Sequence, residues 1–192
     1  MTNFRFLPLP AFIVILFSCS SDPEPGTIIF ANNNLEIGEV VPQGWNAVGD
    51  PDIFLFYYGA REPLSGEKSI SISAESANSE AFAFWVNSTP FDGDKNAGKR
   101  LTLTAWVKGV NLSGNGAAVA LRGDVNVAGS EGSEQFVTTQ GIEDLSGSFE
   151  WQKISVNLDI QANIDSYTVF LLLLSNTTGE VFFDDITLEK SN

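Results

Sequence analysis

From residue 27 to the end of the chain, apolar residues recur at every second position. That is the period of a half-buried strand, not the 3.6-residue period of a helix. Residues 68–74, KSISISA, alternate strictly. Residues 100–108, RLTLTAWVK, put Leu101, Leu103, Ala105 and Val107 on one face and Thr102, Thr104, Trp106 and Lys108 on the other. Residues 117–127 (AAVALRGDVNV), 151–158 (WQKISVNL) and 180–188 (EVFFDDITL) predict further strands. In 151–158, Ile154, Val156 and Leu158 point inward, while residues 166–174, SYTVFLLLL, are apolar on both faces. Turn-forming runs separate these segments, among them Ser113-Gly114-Asn115-Gly116 and Thr178-Gly179. No 11-residue window carries a helical stripe. Short strands at this spacing, each with one alternating face, predict an all-β chain folded as an antiparallel β-sandwich in one domain, residues 27–192.

The first residues obey different rules. MTNFRF carries one positive charge, Arg5, and is followed by an uncharged apolar run, residues 7–17. The run is too short to span a bilayer, which takes about 20 residues. A basic start, a short apolar core and a small residue before the break form a secretory signal. Leu16, Phe17, Ser18 and Cys19 follow. A Leu three residues before a Cys, with a small residue immediately before it, resembles the lipobox of bacterial lipoproteins. The resemblance implies a signal peptide over residues 1–18 and lipidation of Cys19. Residues 19–26 then form the lipidated Cys and a flexible tether, since SSDPEPG has two prolines and no periodicity. Acids soon after the Cys resemble the export signal of surface lipoproteins in the Bacteroidetes, which implies lipid anchoring at the outer membrane, facing the cell surface. The other reading is a secreted protein with an unmodified Cys.

Composition narrows the chemistry. The chain has no His and one Cys, with 24 acidic and 10 basic residues and a formal net charge of −14. Without His there is no Ser-His-Asp triad and no histidine metal site. One Cys excludes an internal disulfide and thiolate zinc clusters. The acidic balance argues against a nucleic-acid partner, whose phosphates need a basic face.

Several short pieces then fall in a recognisable order. They are Asn34-Leu35-Glu36, Gly44-Trp45, Gly66-Glu67-Lys68-Ser69, LTLTAWVKG at 101–109, Glu150-Trp151-Gln152-Lys153 and GEVFFDDITL at 179–188. Together they resemble the galactose-binding-like jelly roll of carbohydrate-binding modules of families 4, 9 and 22. The resemblance implies non-catalytic polysaccharide binding, with glycan-degrading or uptake proteins as partners. It also implies a structural Ca²⁺ between the first and last strands, held by Glu36, Asp184 and backbone carbonyls near Lys68. The residues themselves single out Asp184. Alternation places it on the face of Ile186 and Leu188, where a carboxylate needs a partner. That partner is either the ion or a set of backbone amides. A second acidic run, Asp92-Gly93-Asp94-Lys95-Asn96, departs from a calcium loop, with Ala97 at its sixth position and Leu103 at its twelfth. It reads as a solvated turn.

Sugars present apolar C–H faces to aromatic rings and hydroxyls to polar groups. Trp45 and Trp151 match structural plugs at the starts of strands. Trp106 shares its face with Thr102, Thr104 and Lys108 and should point away from the core. In residues 81–86, AFAFWV, Phe82, Phe84 and Val86 form one face, and Ala81, Ala83 and Trp85 the other. Two alanines beside a Trp suit an open shelf. The expected platform is therefore Trp85 and Trp106, with Arg122 and Lys108 supplying donors and Tyr57 and Tyr58 along a bordering loop. Two other readings stand beside glycan binding. One is an envelope assembly lipoprotein that meets a protein partner, and the other is a small glycan-active enzyme using two carboxylates.

Overall fold

The computed structural model describes residues 26, 30, 32–78, 80–127 and 130–191. The expected signal peptide, Cys19 and the expected tether up to residue 25 lie outside the described residues. Ten strands follow in order, broken by one helical turn. They are β1 (Asn46–Val48), β2 (Phe54–Gly59), β3 (Ser69–Ala74), β4 (Ala83–Pro90), α1 (Gly93–Asn96), β5 (Arg100–Ser113), β6 (Ala117–Val127), β7 (Ser130–Thr138), β8 (Gly147–Asp159), β9 (Ser166–Leu173) and β10 (Thr178–Ser191). They form two five-stranded sheets, β1-β4-β9-β6-β7 and β2-β3-β10-β5-β8. Every strand pairing is antiparallel. The all-β antiparallel sandwich predicted from the two-residue period is the fold observed.

The core lies between the sheets and is built by alternation. Leu101, Leu103, Ala105 and Val107 of β5 are fully buried, as are Tyr167, Val169, Leu171 and Leu173 of β9. Ile154, Val156 and Leu158 of β8 close one side. Trp45 plugs the opposite rim, edge-on to Phe30 at 5.9 Å between ring centres. Its plug role stands, while Trp151 is half-buried.

The strand β10 does not keep one phase. Val181 and Phe183 face the core, and so do Ile186 and Leu188. Odd and even positions share the inner face because the register of β10 against β5 shifts between Asp184 and Thr187. Asp185 takes up the extra residue in a left-handed conformation, φ 44°. This is a β-bulge, where one added residue flips the faces of all that follow. Asp184 consequently lies outward with Phe182, opposite Trp106 of β5. The expectation that it shares a face with Ile186 and Leu188 is corrected by the bulge.

The run 92–96 forms the single helical turn α1. Asp92 Oδ1 accepts the Lys95 N–H at 3.1 Å, as an N-cap does. Asp94 Oδ1 accepts the Asn163 N–H at 2.9 Å, tying the turn to the loop before β9.

Candidate functional site

The outer face of β4-β9-β6-β7 carries a trough of about 510 Å³. Its cross-section follows the strand order. Phe84 of β4 lies opposite Leu172 of β9, and Phe170 of β9 opposite Ala120 of β6. Ala120 lies opposite Thr138 of β7, and Arg122 opposite Phe136. Ala120, the small apolar residue of the lining, forms a low floor between walls of Phe and Leu. Phe82, Phe84, Phe136, Phe170, Leu172 and Leu174 supply rings and methyl groups, and Arg122, Gln140 and Ser175 the polar side chains. None of the lining residues is a carboxylate.

The rings are held in fixed relation. Phe82 stacks on Phe84 at 5.9 Å with 23° between planes, and Phe84 meets Phe170 edge-on at 5.3 Å. The Arg122 guanidinium sits 5.1 Å from the Phe170 ring centre, within cation–π reach. Phe82 is 52% exposed and Phe136 59% exposed. Two large rings left in water on one face are costly unless something covers them.

A polar row borders the trough. Ser88 Oγ lies 2.9 Å from Thr168 Oγ1, which donates to Asp124 Oδ2 at 3.0 Å. Asp124 Oδ1 lies 2.7 Å from Arg122 Nε. That Nε is buried, and its N–H is not aligned for a hydrogen bond to the carboxylate. The contact is an ion pair, with the guanidinium turned by its stacking on Phe170.

The expected platform is not one surface. Arg122 alone of its members lines the trough. Trp85 is buried, 2% exposed, on the inner face of β4 beside Ala83. Its indole N–H crosses to the other sheet and donates to Ser71 O at 3.1 Å. Phe56 packs edge-on to it at 5.6 Å. The shelf assignment in residues 81–86 is thus reversed. Ala83 and Trp85 fill the core, and Phe84 faces out. A large ring with one polar N–H fits the space between two sheets when that N–H finds a carbonyl.

Trp106, Lys108 and Tyr57 lie on the outer face of the other sheet, away from Arg122. Trp106 is half-buried there. Lys108 Nζ is held by Glu62 at 2.7 Å and Glu150 at 3.2 Å. Hydrogen bonds to Glu62 and then Glu150 hold its pKa above the usual lysine value. Tyr57 lies under Arg61, whose Cζ is 4.9 Å from the ring centre and whose Nη2 reaches Glu180 at 2.6 Å. Tyr58 packs against the core and donates its hydroxyl to Leu35 O at 2.8 Å. Lys108, Tyr57 and Tyr58 are committed to local partners.

The carboxylates expected to hold calcium are committed too. Asp184 Oδ2 accepts the N–H groups of Leu64 at 2.8 Å and Ser65 at 3.2 Å, and Oδ1 accepts that of Asp185 at 2.7 Å. Asp184 is fully buried, and burial pushes its pKa up to about 6 against the pull of those three amides. Glu36 Oε1 accepts the N–H groups of Glu67 at 2.9 Å and Lys68 at 3.1 Å. The Lys68 ammonium lies on the carbonyl oxygens of Glu36 (3.1 Å) and Gly38 (2.9 Å). A calcium ion needs six to eight oxygens converging on one point. Here N–H donors face both carboxylates, and an ammonium already faces the carbonyls. No cluster of three or more metal-ligating side chains occurs among the described residues. The residues do not fit a calcium ion between Glu36 and Asp184. Of the two partners weighed for Asp184, the backbone amides are the ones present.

Phe84, Phe136, Phe170 and Leu172 are the residues that sequence reasoning missed. The signal lay in residues 166–174. A strand apolar on both faces has an outer face that something other than bulk water is meant to cover.

No family model matches the chain, and no curated protein does. Solved structures share its fold. The enzymatically active domain of bacteriophage CBA120 tailspike protein 4 matches with TM-score 0.64 and 11% identity over 85% of this chain. The chain spans only 21% of that tailspike structure. TmCBM61 in complex with β-1,4-galactotriose matches with TM-score 0.51 and 18% identity, over 86% of this chain and 99% of the module. A Stig cyclase from Fischerella sp. TAU, in complex with (3Z)-3-(1-methyl-2-pyrrolidinylidene)-3H-indole, matches with TM-score 0.62 and 11% identity, over 88% and 98%. Carbohydrate-binding modules of families 11 and 22 share the fold as well. The resemblance to such modules therefore holds at the level of fold. Their ligands and reactions remain their own.

Proposed function

We propose that this protein is a non-catalytic glycan-binding protein that takes a polysaccharide in the trough across β4-β9-β6-β7. The single observation carrying this reading is the trough itself, ring-walled, floored by alanine and flanked by Arg122 and Gln140. Sugar C–H faces lie on Phe84, Phe136 and Phe170, and hydroxyls turn toward the guanidinium and the amide. The shared fold of carbohydrate-binding modules supports it. The lone Cys19, placed where a lipobox needs it, supports a lipid anchor that keeps the domain at the outer membrane near glycan-degrading partners.

A second reading has its own support in the exposed rims. Phe82 and Phe136 could be covered by a protein partner in envelope assembly. The concave shape and the Arg122 and Gln140 side chains in the lining favour the glycan.

The test is a polysaccharide panel run against residues 20–192, a span that holds every described residue. Retention of at least one glycan in affinity electrophoresis is expected, and Phe170→Ala should abolish it while the melting temperature stays within a few degrees. Retention of none across plant, algal and host polysaccharides would overturn the glycan reading in favour of the assembly role. Retention that survives both Phe170→Ala and Arg122→Ala would overturn the trough as its site.

A further inference from the structure

Resting on the glycan reading, we propose that the sugars taken by the trough carry methyl groups, as O-acetyl esters or as 6-deoxy carbons. The argument is one of matching polar valences. An unsubstituted pyranose ring is edged with hydroxyls, and each one taken from water into a groove needs a hydrogen-bond partner. The trough offers polar side chains only from Arg122, Gln140 and Ser175 among its lining residues. The neighbouring polar row does not add to them. Thr168 is bonded to Asp124 and Ser88, and Asp124 is shared between Thr168 and Arg122.

Apolar capacity, in contrast, exceeds what ring stacking uses. A sugar face needs a flat ring, which Phe84, Phe136 and Phe170 provide. Leu172 and Leu174 are not flat. They set branched methyl groups beside the rings, and the alanine floor is one side chain lower than either wall. That relief suits a small apolar knob projecting from a sugar. Each methyl group buried in such a recess strengthens binding about fourfold. Two substituted residues along the trough give a preference of about tenfold or more over the bare chain.

Residues 20–192 are tested on an array of polysaccharides, each printed before and after alkaline de-esterification, with 6-deoxyhexose-containing glycans included. Binding confined to acetylated glycans and lost at least tenfold on de-esterification supports the ester source. Binding confined to 6-deoxyhexose glycans and unchanged by alkali supports the deoxy source. Leu172→Ser should cut either preference to threefold or less, with the melting temperature reporting that the fold is kept. Equal binding to bare and substituted chains overturns this inference and leaves the glycan reading standing. An unchanged preference in a folded Leu172→Ser protein overturns it too. Binding to nothing on the array overturns both.

Discussion

Lys68 and Glu36 clasp each other twice. The Lys68 backbone N–H donates to Glu36 Oε1, and the Lys68 ammonium donates to the Glu36 carbonyl oxygen. The same ammonium reaches Gly38 O and lies 5.3 Å from the Tyr58 ring centre. It is thus a cation fixed among carbonyls and a π face, covalently part of the chain. Chelation with EGTA should therefore leave the melting temperature unchanged. Lys68→Met should lose about 2 kcal/mol, the worth of hydrogen bonds to a charged group. That corresponds to a melting temperature lower by about 4–8 °C in a domain of this size. A drop on adding EGTA to the wild type would show that a divalent ion is bound after all.

Asp184 should make the fold less stable as pH rises toward neutrality. Its pKa is raised to about 6 from an ordinary 3.8, by burial first. The folded state therefore keeps its proton over a range where the unfolded state has lost it. The contribution is fully present below about pH 4 and is lost as pH rises through 6. Between pH 5 and 7 the loss is about 1 kcal/mol. The exposed acids run the other way. Glu62, Asp92 and Asp159 have lowered pKa values, through hydrogen bonds to Lys108, Lys95 and Arg100 respectively. Denaturant titrations of the wild type and Asp184→Asn at both pH values separate the two effects. The wild type should lose stability relative to the variant between pH 5 and 7. Parallel curves would mean that Asp184 does not titrate in this window.

Trp85 and Trp106 should respond oppositely to truncation from what their sequence neighbours suggest. Trp85→Ala empties a buried site and removes the indole hydrogen bond to Ser71 O, at a cost of about 3–5 kcal/mol. Trp106→Ala, on a half-buried outer position, should cost about 1–2 kcal/mol and leave glycan retention intact. Thermal unfolding of the two variants side by side checks both. A Trp85→Ala protein as stable as the wild type would contradict the inward placement.

The strands were legible because burying one face imposes a two-residue period, and Leu101, Leu103, Ala105 and Val107 obey it without interruption. Which face goes inward was not legible for residues 81–86, where both faces are apolar. The decision there rests with Ser71, a partner 14 residues upstream on the other sheet, whose carbonyl can take the indole N–H. Asp184 failed for a different reason. Alternation carries no mark of a bulge, and one extra residue at Asp185 moved the carboxylate to the other side. Arg122 was legible as a groove cation because it shares its face with Ala118 and Ala120. Its walls were not, since they come from β4, β7 and β9, strands distant in sequence that only the sheet order brings together.

Asp124 should decide whether the trough tolerates acidic sugars. Its carboxylate lies 2.7 Å from Arg122 Nε, so the one cation of the trough is already neutralised. A uronic acid carboxylate arriving beside Arg122 would meet Asp124 as well, and like charges at close range repel. The wild type should therefore show no preference for acidic over neutral polysaccharides. In Asp124→Asn the guanidinium keeps its stacking on Phe170 but loses its counter-charge. Uronic-acid polysaccharides should then gain about tenfold in affinity, with the gain fading as salt is raised from 50 to 500 mM, since screening weakens an exposed pair. Arg122→Ala combined with Asp124→Asn should erase the gain. A wild type that already favours acidic glycans would mean that Asp124 does not cancel the charge of Arg122, and an Asp124→Asn protein indifferent to them would mean that Arg122 acts on its ligand through its planar face rather than its charge.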